Sequence, residues 1–339
     1  MKYYTRLLVQ CLVLITSAML AFTVWGAQTT ATTKKTVVFI PKSTATNTSF
    51  WLALLKGAKD AGKPLGYQVL YKGPVGEQDI AGQVKIVNEM VAQHVSGILI
   101  SVADTKILAP ALENAVKNGV SVITVDSGAA STVPAAYIAT DNKTAAGLAA
   151  DTVAGLIGYK GVVGVISTIE ASVTGQQRAQ WFLARMQEKY PGIRVLPVQY
   201  SACDPDQAKR IANGLFKVSP GLKAFYTACD GAGIGAALAV REHTQGRGNR
   251  EDDVKVVTFD VSPKGFSLFK TGGINALIVQ DPYTMGYTGI KILDQVIKGN
   301  PVAQKVVQLP VIVVTQANLK STQVQSLLKT YPGVLTSSP

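Results

Sequence analysis

From Lys35 onward the chain alternates two patterns. Short β-branched runs, TVVFI, YQVLY, SGILI and VSVITV, are separated by longer stretches in which apolar residues recur every three or four positions. In EQDIAGQVKIVNEMVAQ, Ile80, Val84, Val87 and Val91 share one helical face. The alternation resumes after Tyr137 with VVGVIS, IRVLPV, LKAFYT, VKVVTF and INALIV. Strands that are apolar on both faces, with helices between them, imply parallel sheets covered on both sides. The pattern predicts ten strands in two groups of five. The fold class is therefore α/β, with two similar lobes, each a doubly wound parallel sheet flanked by helices. The segment SGAASTVPAAYIATDN, rich in small residues, lies between the groups and reads as a linker crossing from one lobe to the other.

One strand pattern occurs twice. VSVITVDSG, Val120–Gly128, and VKVVTFDVSP, Val254–Pro263, align as V-x-V-[I/V]-T-[V/F]-D. Asp126 and Asp260 thus end corresponding strands, about one domain length apart. In open parallel sheets ligands bind outside the carboxyl ends of the strands, so each lobe would present a carboxylate from its rim. An aspartate capping the next helix or turn is the alternative for both.

The N-terminus changes the picture of where the chain works. MKYYTR carries Lys2 and Arg6, and LLVQCLVLITSAMLAFTVWGAQ follows. A basic start, an apolar stretch and small residues at its end are the pattern of a secretory signal peptide, here residues 1–26, with a retained membrane anchor as the alternative. No later segment reaches ~18 consecutive apolar residues, so the mature chain is expected to be soluble and periplasmic. Removing Lys2 and Arg6 lowers the net charge from +12 to +10. Lys and Arg are otherwise scattered singly, and the densest spot, REHTQGRGNR, reads as a helix end and loop. A nucleic-acid partner is therefore not expected. Cys203 and Cys229 remain after cleavage and would meet an oxidising compartment.

Catalytic chemistry finds little to stand on. The two histidines, His94 and His243, lie on predicted helices amid polar neighbours. No Cys/His cluster has metal-ligand spacing, and neither G-x-S-x-G nor a Walker A loop occurs. No enzyme activity, metal or cofactor is expected. TACDGAGIGAAL does fit G-x-G-x-x-[G/A] at Gly231, Gly233 and Ala236. It follows the third strand of its lobe, and Asp230 would repel a pyrophosphate. Close packing of a helix on a sheet explains the small residues instead. An exported nucleotide-dependent oxidoreductase is the rival reading that this motif carries.

Six pieces, taken in order, resemble a known family. NTSFWLALLKGAKDAGKPLGY, VITVDSG, IATDN, QQRAQWF, VVTFDVSPKG and ALIVQDPYTMGY make the chain from Lys35 to about Asn318 similar to periplasmic sugar-binding proteins of the ribose- and galactose-binding group. These are solute receptors of ABC importers, and their fold, periplasmic binding protein type I, is shared with lactose-repressor effector domains. A signal peptide stands where a helix-turn-helix would precede the regulators. The resemblance implies a three-segment hinge near Ala139–Asp141, Gln280–Asp281 and Leu309–Pro310. Lobe one would be 35–140 with 281–309, lobe two 141–280 with 310–316, and 317–339 a tail. Asp281 would cap the helix that Pro282 opens.

The same resemblance implies a binding site. Phe50 and Trp51 would stack on the sugar, although adjacent helical positions let only one face it squarely. Asp126, Arg178, Asp260 and Gln280 would serve its hydroxyls: carboxylates accept, a guanidinium donates in a fork and an amide does both. A solvated helix arginine is the alternative for Arg178. Four positions depart from a ribose binder. Ser127 replaces an arginine, Thr48 an asparagine, and Cys203 and Cys229 a phenylalanine and an asparagine of the second lobe. They put ribose itself in doubt and leave a small sugar or polyol. YKGPVGEQDIAGQVKIVNEMV also resembles receptors for the cyclic diol autoinducer-2, so a ligand sensor signalling to a chemoreceptor or kinase is the other reading. The expected partners are the ligand and an inner-membrane ABC permease, with the protein a monomer. A Cys203–Cys229 disulfide would require the SACDPD loop to lean inward, because the two strands flank a third and stand roughly 9–10 Å apart, and two free thiols lining the pocket are the alternative.

Overall fold

The computed structural model describes residues 35–46, 48–244 and 254–336. The signal-peptide reading of residues 1–26, most of the basic REHTQGRGNR stretch and the last three residues of the tail lie outside the described residues.

Two sheets carry the fold. The first has six parallel strands in the order β12-β5-β4-β3-β1-β2: β1 Lys35–Ile40, β2 Tyr67–Tyr71, β3 Gly97–Ile100, β4 Ser121–Val125, β5 Tyr137–Thr140 and β12 Val306–Leu309. The second follows the order β13-β11-β10-β9-β6-β7, with β8 also paired to β6. Its strands are β6 Gly161–Ser167, β7 Ile193–Val195, β8 Gln199–Tyr200, β9 Leu222–Thr227, β10 Lys255–Phe259, β11 Ala276–Val279 and β13 Ile312–Val314. All are parallel to their neighbours except β13, which runs antiparallel to β11. The first helices are α1 Thr48–Gly62, α2 Ile80–Ala92, α3 Ala109–Lys117, α4 Asn142–Leu156 and α5 Val173–Lys189. They are followed by α6 Pro205–Val218, α7 Asp230–Thr244, α8 Pro263–Lys270, α9 Pro282–Ile297 and α10 Thr322–Leu328.

The nine runs quoted from the sequence supply β1–β4, β6, β7 and β9–β11, and the sheets reach six and seven strands because the short β8, β12 and β13 pair at the edges and β5 pairs inside sheet one. The linker SGAASTVPAAYIATDN is therefore only partly a linker. Its YIAT ends as β5, with Tyr137 opposite Thr124 and Ile138 opposite Val125. Small residues hide this strand in the sequence. It is held by the backbone ladder and by burial of Ile138.

Alternation within each strand sends its side chains to two different cores. On one face of sheet one, Val38 and Ile40 pack with Val87, Met90 and Leu112. On the other, Val37 and Phe39 pack with Leu54, Ile290 and Leu293. Sheet two repeats the plan. Val165, Tyr226 and Phe259 meet the alanine-rich α4 and Phe182, while Phe225, Val256 and Leu277 face α6, α7 and α8. Helix starts are set by short polar caps: Asp79, Asp141, Ser172, Asp204, Ser262 and Asp281 each accept a hydrogen bond from a backbone N–H three residues on. Pro282 opens α9 behind its Asp281 cap.

The chain passes from sheet one to sheet two after β5, back after β11, and across again between β12 and β13. These crossings lie side by side. Asp141 N donates to Leu309 O at 2.9 Å, and Thr140 Oγ1 donates to Gln280 Oε1 at 2.5 Å.

Candidate functional site

Carboxyl ends of strands from both sheets converge on one buried polar cluster. Asp126 follows β4 and Asp260 follows β10. Both have left-handed backbones, φ 58° and 66°, which an aspartate tolerates better than most residues. Neither caps a helix. Asp126 accepts from Ser101 Oγ at 2.7 Å and pairs with the Lys42 ammonium at 2.8 Å. Asp260 accepts from Gln280 Nε2 at 2.5 Å. Burial works to raise the Asp126 pKa, but the charges of Lys42 and Arg178, with hydrogen bonds from Lys42 and Ser101, outweigh it and hold the carboxyl below its ordinary range.

Arg178 stands at the centre. It lies on α5, is 3% exposed, and its guanidinium sits 4.2 Å above the Phe259 ring. Nε donates to Asn142 Oδ1 at 2.9 Å, Nη1 to Ala228 O at 2.9 Å and Nη2 to Gln280 Oε1 at 2.8 Å. The same Nη2 is 3.9 Å from Asp126 Oδ1. The solvated-arginine alternative is thus excluded: its fork ties α5 to the start of α4, the end of β9 and a hinge crossing, and faces an aspartate of the other lobe. Tyr331 Oη donates to the Gln280 carbonyl at 3.1 Å and holds that crossing from the C-terminal side.

Two members of the cluster were not foreseen. Lys42, just beyond β1, joins the lobes by donating to Thr174 Oγ1 at 2.9 Å while pairing with Asp126. The strand-end rule that picks out Asp126 also reaches Lys42, the first charge after TVVFIP. Glu77 opens the stretch that the sequence reads as helical, but it lies in a turn between β2 and α2, ahead of the Asp79 cap. It is 2% exposed, and its Oε2 has no hydrogen-bond partner. Burial pushes its pKa up to about 7, opposed by Lys42 and reinforced by Asp126.

The remaining expected residues fall as follows. Phe50 and Trp51 are both buried and form an edge-to-face pair with ring centres 4.8 Å apart. The Trp51 Nε1 and the buried Ser127 Oγ have no partner. Thr48 is exposed at the first position of α1, outside the buried cluster. Cys203 and Cys229 are buried and joined as a disulfide, with Cα atoms 6.0 Å apart. The loop leans inward through two consecutive left-handed residues, Ala202 (φ 49°) and Cys203 (φ 59°), while Ser201 N and Ala202 N donate to Ser167 O and Thr168 O at the end of β6. That crosses the gap left by the intervening strand.

The glycine motif has a structural use. A Cβ on Gly231 would collide with the Cys203 carbonyl, one on Gly233 with Thr258 and one on Gly235 with the Pro205 carbonyl. Protein fills the space into which a pyrophosphate would have to approach. Asp230, 3% exposed, accepts from Ser262 N at 3.1 Å. Burial pushes its pKa up to about 7 against the pull of its Ser262 hydrogen bonds, and Asp260 adds to the rise. Of the histidines, His94 is exposed and lies just past α2 with a left-handed backbone, not on the helix, whereas His243 is on α7, partly buried and stacked on Phe216 at 3.9 Å. Among the described residues no group of three or more His, Cys, Asp or Glu could hold a metal ion, and no helix is long and apolar enough to cross a membrane.

Known proteins share this architecture. The D-ribose/D-allose-binding protein of Pseudomonas aeruginosa is 26% identical over 293 residues, 83% of this chain and 89% of that protein. A carbohydrate-transporter solute-binding protein from Agrobacterium radiobacter, solved with D-arabinose, is 31% identical with a TM-score of 0.81, covering 88% of this chain and 99% of its own. An ABC-transporter solute-binding protein from Agrobacterium vitis, bound to α-D-tagatopyranose, is 28% identical with a TM-score of 0.80, over 87% and 99% of the two chains. Residues 37–301 match the periplasmic binding protein domain, and the chain belongs to that family.

Proposed function

We propose that this protein is a receptor that captures a small sugar or polyol between its lobes and delivers it to an ABC-type importer. The observation that carries the reading is the cluster drawn from both lobes, in which Lys42 and Asp126 meet Arg178, Gln280 and Asp260. Such a set offers donors and acceptors to vicinal hydroxyls. It can form only when the lobes close, so a ligand touching both would shift an open–closed equilibrium towards the form a permease recognises. The sugars named for the relatives fit this chemistry.

The lobes are 35–140 with 281–309 and 141–280 with 310–316, the chain crossing at three adjacent segments. The ligand contacts are Phe50, Trp51, Asp126, Ser127, Arg178, Asp260 and Gln280, with the Cys203–Cys229 pair at the cleft wall of the second lobe. The protein acts as a periplasmic monomer after removal of residues 1–26, binds without turnover and needs no cofactor.

A thermal-shift screen with D-ribose, D-allose, D-arabinose and D-tagatose tests the proposal. A sugar present at 100 times its Kd should stabilise the fold by roughly 2.7 kcal/mol and be recovered unchanged. No shift with any of the four, or chemical conversion of one, refutes it.

A further inference from the structure

We propose that Glu77 contacts the ligand and sets its specificity, its carboxyl accepting a hydrogen bond from one particular hydroxyl of the sugar. The inference rests on the sugar-receptor reading and adds to it a residue from a loop outside the strand-end set.

Glu77 is as buried as Arg178, yet its Oε2 lacks a partner. Buried carboxyl oxygens are costly when unpaired, and nearby protein does not supply the missing donor. The Lys42 ammonium is turned to Asp126 and Thr174. The Arg178 fork is turned to Asn142, Ala228 and Gln280. The loop cannot relieve the mismatch by swinging outward. Thr44 N donates to Pro74 O at 2.8 Å, Ala45 N to Val75 O at 3.2 Å, and Ser43 Oγ to Val75 O at 2.5 Å. These bonds pin the loop across the end of β1, two residues before Glu77.

The carboxyl lies within electrostatic reach of Lys42, Asp126, Arg178 and Asp260, that is, of the whole cluster on both lobes. With carboxyl groups already present at Asp126 and Asp260, a third is a poor way to balance two cations. It is a good way to accept from a ligand hydroxyl that the other groups do not reach. A neutral hydroxyl-bearing ligand supplies the donor without adding charge.

Isothermal titration of wild type, Glu77→Gln and Glu77→Ala decides the matter. The probes are D-ribose, D-allose, D-arabinose and D-tagatose, followed by the single-deoxy analogues of whichever binds tightest. Glu77→Ala should bind that sugar roughly 10- to 100-fold more weakly, with Glu77→Gln in between because its amide oxygen still accepts. One deoxy analogue, lacking the hydroxyl in question, should bind wild type and Glu77→Ala equally. Equal weakening for the sugar and every deoxy analogue would mean that Glu77 acts only through the shape of the loop and would overturn the assignment, as would unchanged affinity in both variants. If wild type binds none of the four sugars, the receptor reading falls and the assignment with it. Sugar binding by wild type with no hydroxyl-specific loss removes the assignment alone.

Discussion

Asp126 and Asp260 occupy equivalent places in the two sheets, down to their backbones. Each follows the last residue of a buried strand with a positive φ, and each donates its N–H to an isoleucine carbonyl of the adjoining strand, Ile138 at 2.8 Å and Ile278 at 3.0 Å. The left-handed residue ends the strand while keeping one ladder bond. Both carboxyls thereby stay at the sheet rim, where Lys42 meets one and Gln280 the other. The chain thus uses one structural device twice to build a site from two lobes.

Removing the guanidinium at the centre of the cluster should abolish tight binding without unfolding the protein. Arg178→Ala is expected to bind its sugar at least roughly tenfold more weakly, since a hydrogen bond to a charged group contributes about 1.5–3 kcal/mol. Arg178→Lys should not restore it, because one ammonium cannot serve Asn142, Ala228 and Gln280 together. Titration calorimetry beside circular dichroism measures both properties. Wild-type affinity in a folded Arg178→Ala protein would remove the residue from the site.

Stability should fall as the pH rises towards neutrality. Glu77 and Asp230 hold protons up to about pH 7 in the folded state, whereas the unfolded chain releases them near the ordinary carboxyl range. The folded state therefore binds more protons between those limits, and the favourable linkage present at low pH is lost as the pH climbs through 7. Asp126 has the opposite sign: its contribution is present above the ordinary carboxyl pKa and is lost as acid protonates it. Melting temperatures should be higher near pH 5.5 than at pH 8, and Glu77→Gln with Asp230→Asn should flatten the difference. An unchanged pH slope in the double variant would show that these carboxyls are not its source.

The disulfide should be complete in the exported protein and matter to its stability. A cross-link between residues 26 apart restricts the unfolded chain by roughly 3.5 kcal/mol in the loop-entropy account. Thiol titration of the denatured, non-reduced mature protein should find no free thiol. Reduction, or Cys203→Ala with Cys229→Ala, should lower the melting temperature by several degrees. Two titratable thiols per chain would contradict the bond.

Helices α1 and α9 approach so closely that glycine is required on both. A Cβ on Gly57 would meet the Tyr283 carbonyl and one on Gly286 the Leu54 carbonyl. Because backbone cannot yield as a flexible side chain can, Gly286→Ala should destabilise by about 1–3 kcal/mol. Denaturant unfolding gives the value, and a neutral result would mean that the two helices can part without cost.

Periodicity alone was enough for the fold class, because strands buried on both faces and helices with one apolar stripe leave different spacings in the text. The repeated V-x-V-[I/V]-T-[V/F]-D pattern pointed to Asp126 and Asp260, since a strand's carboxyl end is a local property of sequence. Pairings between distant segments were beyond its reach. β5 was hidden in a small-residue linker because its stability comes from Thr124, Val125 and the β12 backbone beside it. The Cys203–Cys229 bond depended on two left-handed residues folding a loop over an intervening strand. Glu77 heads a stretch that reads as an amphipathic helix, yet it lies in the turn ahead of the Asp79 cap. Hydrogen bonds from the Ser43 hydroxyl and the Thr44 and Ala45 amides bring its loop across the end of β1, and burial in a charged cluster is a property of that three-dimensional arrangement, which no local stretch of sequence encodes.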